Sequence, residues 1–229
     1  MLVAISQRQQ YNQNGMPIDV LEHSYVEYCK SLGMVLLPFP NIASQVQDYF
    51  DNFPIEGIIL TGGEDIDPKM YGKNIEWPNI SPLRDQTEKK ILEMAIAQKI
   101  PVLGICRGMQ FINVFFGGKL VKNIKEEITS EHPPGKDHNV IITDERIISN
   151  LGNKEIIVNS YHNQAVVTRN LSPHLQAFAT AEPGIIEGLF HPTLPIAGIQ
   201  WHPERKSPDE EINRMLMEAL VKKELFWKR

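Results

Sequence analysis

The chain has 229 residues, 42% of them hydrophobic, which is enough material for one large α/β domain and excludes a disordered chain. The net charge is −5 and the lysines and arginines are scattered, so the sequence shows no basic patch that would bind nucleic acid. The longest apolar runs reach only about six residues, far short of the ~20 that a membrane-spanning helix needs.

The first half of the chain alternates apolar strands with helical periodicity. The pattern predicts strands at 2–6, 34–37 and 57–60, and helices at 20–32 and 42–50. A longer helix is predicted over 84–98, then an apolar strand that leads to Cys106, then a helix over 109–116. Because such alternation forms parallel βαβ units, we expect an α/β fold: three α/β/α layers around a flavodoxin-like, mostly parallel central sheet.

From about Lys119 the pattern changes to shorter β-like segments, which predict an accessory β region. These segments lie at 138–142, 155–158, 165–168, 175–179, 185–190 and 196–200, and a helix over about 208–223 closes the chain. No linker or composition shift divides the sequence, so residues 1–229 are expected to form a single domain. Proline, glycine and histidine at 131–138 predict a mobile surface loop.

Two glycines flank a cysteine in Gly104-Ile105-Cys106-Arg107-Gly108, the most informative segment of the chain. An apolar run precedes it and a helical pattern follows, so the layout predicts a strand, a one-residue turn and a helix. This layout is typical of a nucleophile elbow, with Cys106 where hydrolases often carry serine. The dipole at a helix N-terminus favours thiolate over thiol there. The alternative is a buried structural cysteine, the commoner fate of a lone cysteine.

A cysteine nucleophile needs a base and a group that orients the base. Among the seven histidines, His202 stands out because it follows an apolar strand and belongs to His202-Pro203-Glu204. Residues i and i+2 of an extended backbone share a face, about 6–7 Å apart. Glu204 would therefore reach one imidazole nitrogen while the other faces a thiol. A turn with an incidental ion pair explains the same residues equally well.

Thr61-Gly62-Gly63 follows the third predicted strand and offers N–H groups that can point into a cleft. With the N–H of Arg107, this segment would form an oxyanion hole for acyl transfer, although a plain turn also explains a Gly-Gly pair. No nucleotide-binding glycine pattern follows a strand, and the two cysteines lack zinc-ligand spacing. The start of the chain has no signal-peptide pattern. We therefore expect a cytoplasmic, reduced protein without metal or cofactor.

Five segments of the chain, in this order, resemble the class I glutamine amidotransferase-like superfamily. They are similar in particular to its free-standing γ-glutamyl hydrolase branch, typified by γ-glutamyl-γ-aminobutyrate hydrolase. The segments are 60–68 with 71–72, 84–85 with 88, 104–110, 159–164 and 200–204. The resemblance covers nearly the whole chain, and five segments in register make it highly specific.

The resemblance implies a catalytic triad of Cys106, His202 and Glu204. Cys106 would attack the γ-carbonyl of a glutamyl group, His202 would shuttle the proton and Glu204 would orient the imidazole. The backbone N–H groups of Gly63 and Arg107 would hold the oxyanion.

The resemblance also implies which side chains bind the glutamyl group. Gln110 would contact its α-amino or carboxylate end. The other implied substrate-binding residues are Gly62, Ser160, Tyr161, His162 and Gln164. Without the family pattern, residues 159–164 look like a polar β-turn.

The implied activity is hydrolysis of a γ-glutamyl amide to glutamate and an amine through a γ-glutamyl thioester. The Asp-x-x-Pro-x-x-Tyr-Gly loop at 65–72 and the Arg84-Asp85 helix start favour this branch, because glutaminase domains usually lack both. The alternative is a glutaminase subunit that supplies ammonia to a partner synthase in trans. A third hypothesis, a non-catalytic binding module on the same fold, is disfavoured by the intact triad positions.

The leaving group stays open between γ-aminobutyrate, another polyamine-derived amine, and a phosphoramidate or nucleotide-linked conjugate. The polar run at 6–10 and the loop at 131–138 depart from related sequences and are expected near the leaving group. The basic residues that would suit an anionic leaving group are Arg8, Lys69, Lys73 and Lys136, although scattered basic residues are usually solvated. No role is assigned to His132 or His138. The expected partner is a small γ-glutamyl molecule, with neither nucleic acid nor membrane; a homodimer is left open.

Overall fold

The computed structural model describes residues 1–128 and 135–228, so part of the loop expected at 131–138 lies outside the described residues. The helices in this part are α1 (His23–Ser31), α2 (Val46–Asn52), α3 (Pro82–Gln98), α4 (Arg107–Phe115), α5 (Ile124–Glu127), α6 (Glu145–Leu151) and α7 (Glu210–Lys222). The strands are β1 (Leu2–Ile5), β2 (Arg8–Tyr11), β3 (Pro17–Val20), β4 (Val35–Pro38), β5 (Gly57–Leu60), β6 (Val102–Ile105), β7 (His138–Ile142), β8 (Glu155–Val158), β9 (Val166–Val167), β10 (Gln176–Ala181), β11 (Ile185–Phe190) and β12 (Ile196–Ile199). Short 3₁₀ turns lie at Ala43–Gln45, Pro68–Tyr71, Thr168–Asn170 and Leu225–Trp227. Among these helices none is long and apolar enough to cross a membrane.

The central sheet has the strand order β4-β1-β5-β6-β12-β11-β10-β7-β8, with β9 paired to β11. The first five strands of this order are parallel to one another. Taken in chain order, they form the 2-1-3-4-5 arrangement of flavodoxin-like folds. The predicted α/β fold with a parallel central sheet is therefore confirmed.

Alternate residues of the parallel strands bury their side chains on opposite faces of the sheet. Val3 and Ile59 pack in one hydrophobic cluster with residues of α1 and α7. Ala4 and Ile58 pack in a second cluster with residues of α2, α3 and α4. Because helices cover both faces, the strands are apolar throughout and the molecule has the three layers that the sequence predicts.

The shorter strands of the second half extend this same sheet. β11 pairs antiparallel with β12, and β10, β7 and β8 continue the antiparallel order. The predicted segments coincide with these strands apart from their terminal residues.

Helix α6 is not predicted by the sequence pattern. Asp144 caps it by accepting a hydrogen bond from the N–H of Arg146 at 2.9 Å, and Gly152 ends it at a φ of 68°.

Residues 8–20 form a hairpin that the hydropathy pattern does not predict. β2 pairs antiparallel with β3, and the side-chain oxygen of Asn12 accepts hydrogen bonds from the N–H groups of Asn14 and Met16. The expected helix start at residue 20 is wrong, because Val20 belongs to β3 and α1 begins at His23. Most residues of the two strands are exposed or half-buried, so no alternation of apolar and polar residues marks them.

Two glycines allow α4 to start directly against the sheet. A Cβ on Gly104 would lie 2.5 Å from the carbonyl carbon of Gly108. A Cβ on Gly108 would overlap the carbonyl oxygen of Leu60 in β5 and lie 2.8 Å from its carbonyl carbon. Because these neighbours are backbone atoms of buried elements, they have no room to give way. The glycines flanking Cys106 are therefore needed for close approach.

Replacing Gly108 by alanine is expected to lower the free energy of unfolding by about 3 kcal/mol or more, because the new methyl group collides with strand backbone. Urea denaturation followed by tryptophan fluorescence measures the loss. The matched control is Gly152→Ala, whose Cβ would meet nothing within 4 Å and whose positive φ of 68° costs only about 1 kcal/mol. Equal losses in the two variants would contradict the steric explanation.

Candidate active site

Three neighbouring strands carry the segments that the sequence singles out. β6 pairs with β5 on one side and with β12 on the other. Residues 61–63 follow β5, Cys106 follows β6, and residues 200–204 follow β12. Their carboxyl ends meet at one edge of the sheet, which is where open α/β sheets form their sites.

Cys106 is the single residue between β6 and α4, and its backbone is strained. It has a φ of 52° and a ψ of −104°, a sparsely populated positive-φ conformation that costs a non-glycine residue of order 1–3 kcal/mol. Its N–H donates to the carbonyl of Ile199 in β12 at 2.8 Å, and its carbonyl accepts from the N–H of Gln110 at 3.1 Å. These bonds hold the turn, and the side chain stands at the N-terminus of α4, 7% exposed.

The structure brings His202 and Glu204 together beside Cys106. The Nδ1 atom of His202 lies 2.6 Å from Oε1 of Glu204. Asn159 clamps the backbone of His202: its Oδ1 accepts from the N–H at 2.9 Å and its Nδ2 donates to the carbonyl at 2.8 Å. The predicted i, i+2 pairing is present, and Asn159, within the segment read as a polar turn, holds the imidazole in place.

The electrostatic environment of His202 favours the imidazolium. Burial lowers its pKa, but the neighbouring Cys106 and the hydrogen-bonded Glu204 carboxylate raise it by more, so that the pKa reaches about 10. An imidazole that carries its proton near neutral pH can act as a general acid toward a group held beside it.

A fully buried network of charges lies beneath these residues. Arg84 and Arg107 share the carboxylate of Glu88, with Arg84 Nε 2.8 Å from one oxygen and Arg107 on the other. Arg84 also binds Glu64 at 2.6 Å, and Arg107 binds Asp85. None of the five side chains is more than 6% exposed. Burial raises the pKa of Glu88, but Arg107 and Arg84 lower it more, so this carboxyl stays ionised.

Arg84 also fixes the backbone of the loop after β5. Its guanidinium donates to the carbonyls of Thr61 at 2.7 Å and Gly62 at 3.1 Å. In a trans peptide a carbonyl and the next N–H point in opposite directions, so the N–H of Gly63 points away from Arg84. The N–H of Arg107 belongs to the first turn of α4, where no intrahelical acceptor exists. Within the described residues neither N–H donates a hydrogen bond, so both are available.

Gly62 makes room for the imidazole rather than offering its own N–H. A Cβ at this position would lie 2.8 Å from Cε1 of His202 and 3.6 Å from Cβ of Cys106. The N–H of Gly62 donates to the hydroxyl of Tyr25 at 3.0 Å, so it is already used inside the protein. Tyr25 is buried; burial first, and the Glu204 carboxylate next, raise its pKa well above the usual value.

A cavity of about 260 Å³ opens onto Cys106. Its lining residues are Arg8, Glu22, Tyr25, Gly62, Gly63, Cys106, Tyr161, His202 and Arg205. Sequence reasoning missed Glu22, Tyr25 and Arg205 as site residues. Arg205 directly follows the His202-Pro203-Glu204 segment, which is a signal that could have been used. The start of α1 gives no comparable signal for Glu22, which precedes the helix, or for Tyr25 within it.

Of the side chains expected to bind a glutamyl group, Tyr161 lines this cavity, whereas four others are buried and are not among its lining residues. The Nε2 atom of Gln110 donates to the carbonyl of Gln164 at 3.0 Å and to Oε1 of Gln200 at 3.1 Å. The hydroxyl of Ser160 and the amide of Gln164 have no hydrogen-bond partner within the described residues. Gln110 therefore supports the 160–164 segment, and the unpaired polar atoms belong to that segment.

His162, the remaining expected substrate residue, faces a second buried carboxylate. Its Nδ1 is 2.9 Å from the carbonyl of Gln164, and its Nε2 is 3.8 Å from Glu187. Burial lowers its pKa more than Glu187 raises it. His138 Nε2 lies 3.3 Å from the same carboxylate, whereas His132 is outside the described residues. The described residues contain no group of three or more His, Cys, Asp or Glu side chains arranged to hold a metal ion.

Known proteins share sequence and fold with this chain. A family model described as Peptidase C26 matches residues 1–204. Gamma-glutamyl-gamma-aminobutyrate hydrolase PuuD of Escherichia coli (strain K12) is 27% identical over 223 residues, which are 90% of this chain and 87% of that protein. A relative from Schizosaccharomyces pombe is 38% identical over 160 residues, 66% of this chain and 62% of its own length. The fold is shared with a glutamine amidotransferase from Thermotoga maritima at a TM-score of 0.58 and 14% identity, covering 96% of this chain and 82% of that one.

Replacing Glu88 by glutamine is expected to lower the free energy of unfolding by about 3–5 kcal/mol at pH 7, because two buried arginines lose a charged partner. Since the folded pKa of Glu88 is lowered, its contribution is present above the unfolded pKa of 4.5 and lost as the pH falls through the folded value. The difference between wild type and variant should therefore shrink in acid.

Urea denaturation at several pH values measures this difference. The matched control is Glu93→Gln on the same helix, whose 45% exposed carboxylate lies 3.7 Å from Lys90 and is expected to contribute less than about 1 kcal/mol. A Glu88→Gln variant as stable as the control would contradict the proposed role of the network.

The imidazole of His202 is expected to keep its proton up to a pH of about 10, and to lose it at a lower pH in Cys106→Ala, because that variant removes the sulfur atom that helps to raise the pKa. Nuclear magnetic resonance of the histidine ring signals measures both titrations, and a His202→Gln variant assigns the signal. Cys29→Ala, which removes a cysteine buried in the core on α1, should leave the titration unchanged. Titration of His202 near 6.5 in the wild type would contradict the influence of Cys106 and Glu204 on the imidazole.

Proposed function

Given that the chain belongs to the peptidase C26 family of class I glutamine amidotransferase-like proteins, we propose that it hydrolyses γ-glutamyl amides to glutamate and an amine, with Cys106 as nucleophile. The observation that carries the proposal is the convergence of Cys106, His202 and Glu204, with His202 Nδ1 held 2.6 Å from Glu204. The family, and a relative named as a gamma-glutamyl-gamma-aminobutyrate hydrolase, support a hydrolase.

The first half of the proposed reaction forms a thioester. The Cys106 thiolate attacks the γ-carbonyl carbon, and the carbonyl oxygen becomes an oxyanion. The N–H groups of Gly63 and Arg107, which have no acceptor within the described residues, would donate to that oxygen. His202 then gives its proton to the amide nitrogen, the C–N bond breaks, and the neutral amine leaves while the glutamyl group stays on the sulfur.

The second half returns the enzyme to its starting state. His202, now neutral, takes a proton from a water molecule that attacks the thioester carbon. The C–S bond breaks, glutamate leaves, and Cys106 and His202 again share one proton. Throughout, the carboxylate of Glu204 holds the Nδ1–H of the imidazole, so that Nε2 faces the reacting atoms.

The glutamyl half of the substrate is proposed to bind against the 160–164 segment. The hydroxyl of Ser160 and the amide of Gln164 have no hydrogen-bond partner within the described residues. A glutamyl α-amino or α-carboxylate group would supply one. Gln110 and His162 would then act through the backbone of Gln164, which both contact, and Tyr161 would close the cavity beside His202.

Cys106→Ala is expected to lower hydrolysis of γ-glutamyl-p-nitroanilide by at least about 10³-fold, and Glu204→Gln by about 10²–10⁴-fold, because the imidazole loses its orientation. Release of p-nitroaniline and of glutamate measures both losses. Cys29→Ala is the control and should keep the wild-type rate. An active Cys106→Ala enzyme would exclude the mechanism.

The competing function is a glutaminase subunit that passes ammonia to a partner synthase. It predicts weak turnover of glutamine alone that rises sharply when a partner is added, and little turnover of other γ-glutamyl amides. The buried bonds from Arg84 to residues 61 and 62 favour the solitary enzyme, because they hold the proposed oxyanion loop in place without a second protein.

A further inference from the structure

Two arginines stand at the mouth of the cavity that opens onto Cys106. Arg8 comes from β2, and Arg205 follows the His202-Pro203-Glu204 segment; their side chains are 35% and 29% exposed. Both bind one carboxylate, that of Glu22, with Arg8 3.0 Å from one oxygen and Arg205 2.9 Å from the other. One carboxylate thus faces two guanidinium groups.

The arginines have donors that Glu22 does not use. The Nε atom of Arg8 is buried and has no hydrogen-bond partner within the described residues. The same side chain lies against the proposed oxyanion loop: a Cβ on Gly63 would be 3.0 Å from Cγ of Arg8 and 3.3 Å from its Nε. Arg8 is therefore next to the position where the scissile carbonyl would sit.

Arg205 is held by stacking on an aromatic ring as well as by Glu22. Its guanidinium lies 4.5 Å from the ring centre of Tyr161, and that ring meets His202 edge-on at 5.6 Å. Its Nε also lies 3.7 Å from Glu204, whose Oε1 is the oxygen bound to His202. A planar guanidinium held on an aromatic face still presents N–H groups in its own plane to a carboxylate or phosphate.

The mouth of the cavity suits the amine half of a substrate better than the glutamyl half. Ser160 and Gln164, the proposed partners of the glutamyl group, are buried, whereas Arg8 and Arg205 border solvent. The amine is the first product to leave, and it must leave through the open side.

We propose that Arg8 and Arg205 bind an anionic group on the leaving amine, so that the substrates are γ-glutamyl amides whose amine half ends in a carboxylate or a phosphate. This inference rests on the proposed function. It predicts that kcat/KM is at least about tenfold higher for an acidic amide than for a neutral amide of the same length. Because the arginines are partly exposed, the preference falls as salt is added.

A panel of four synthetic amides tests the preference: γ-glutamyl-γ-aminobutyrate, γ-glutamyl-3-aminopropyl phosphate, γ-glutamyl-butylamine and γ-glutamyl-putrescine. Either acidic amide should exceed the neutral butylamide, and the cationic putrescine amide should be slowest. The ratio between the carboxylate and the phosphate tells which anion the site prefers. A neutral amide cleaved as well as the acidic ones overturns the inference.

Charge variants make the test specific to these residues. Arg8→Gln and Arg205→Gln should each reduce the ratio of acidic to neutral kcat/KM by about tenfold, and Glu22→Gln should increase it, because the carboxylate competes with the substrate anion. Arg169→Gln, at an exposed arginine outside the cavity lining, should leave the ratio unchanged. An equal loss for acidic and neutral amides in Arg8→Gln would instead assign Arg8 to the glutamyl half and overturn the inference.

Binding separates this inference from the proposed function. Calorimetric titration of Cys106→Ala with γ-glutamyl-γ-aminobutyrate and with γ-glutamyl-butylamine compares the two ligands without turnover. Tighter binding of the acid, together with no hydrolysis by the wild type, would retain the anion site and reject the hydrolase. Equal affinities, together with hydrolysis of both amides, would retain the hydrolase and reject the anion site.

Discussion

The carboxylate of Glu88 is the centre on which the arrangement of the site depends. One of its oxygens binds Arg84, which holds the carbonyls of residues 61 and 62, and the other binds Arg107, the residue that follows the cysteine. A single side chain on α3 therefore connects the loop after β5 to the turn after β6. Burying such a group costs free energy, because two arginines and a carboxylate are removed from water. Ion pairs and hydrogen bonds between them must offset that cost. Each of the five charged side chains has a partner of opposite charge here, and the effect of the network is to orient backbone dipoles in advance of any ligand.

Much of the fold follows from local sequence patterns. Apolar runs of four residues separated by helical periodicity give the five parallel strands, because a strand covered on both faces is apolar throughout. The hairpin of β2 and β3 leaves no such signal, since its residues are mostly exposed or half-buried and its register depends on the side chain of Asn12. Helix α6 is missed for a related reason: its seven residues are too few to show a clear period beside the β-like segments around them.

The candidate site also contains some residues that the sequence identifies and others that only the structure reveals. Cys106, His202 and Glu204 can be found from short segments, because a turn between glycines and an i, i+2 pair are local features. The contacts of Glu22, Tyr25 and Arg205 are not local, since Glu22 and Arg205 are 183 residues apart in the chain and meet only through the fold. The resemblance identified Arg84 and Glu88 as family residues, but only the structure explains them, as holders of a loop rather than as groups that touch a ligand.

The pairing of β6 with β12 has a consequence for how this protein would fail on heating. Ile105 and Ile199 are partners in that ladder, and the N–H of Cys106 extends it by one bond. The separation between the sulfur and the imidazole is therefore set near the middle of the sheet, not by a surface loop that can loosen early. Local unfolding of surface loops leaves this distance unchanged. Any activity that depends on it should therefore persist until the central sheet unfolds, so that inactivation and cooperative unfolding occur at the same temperature.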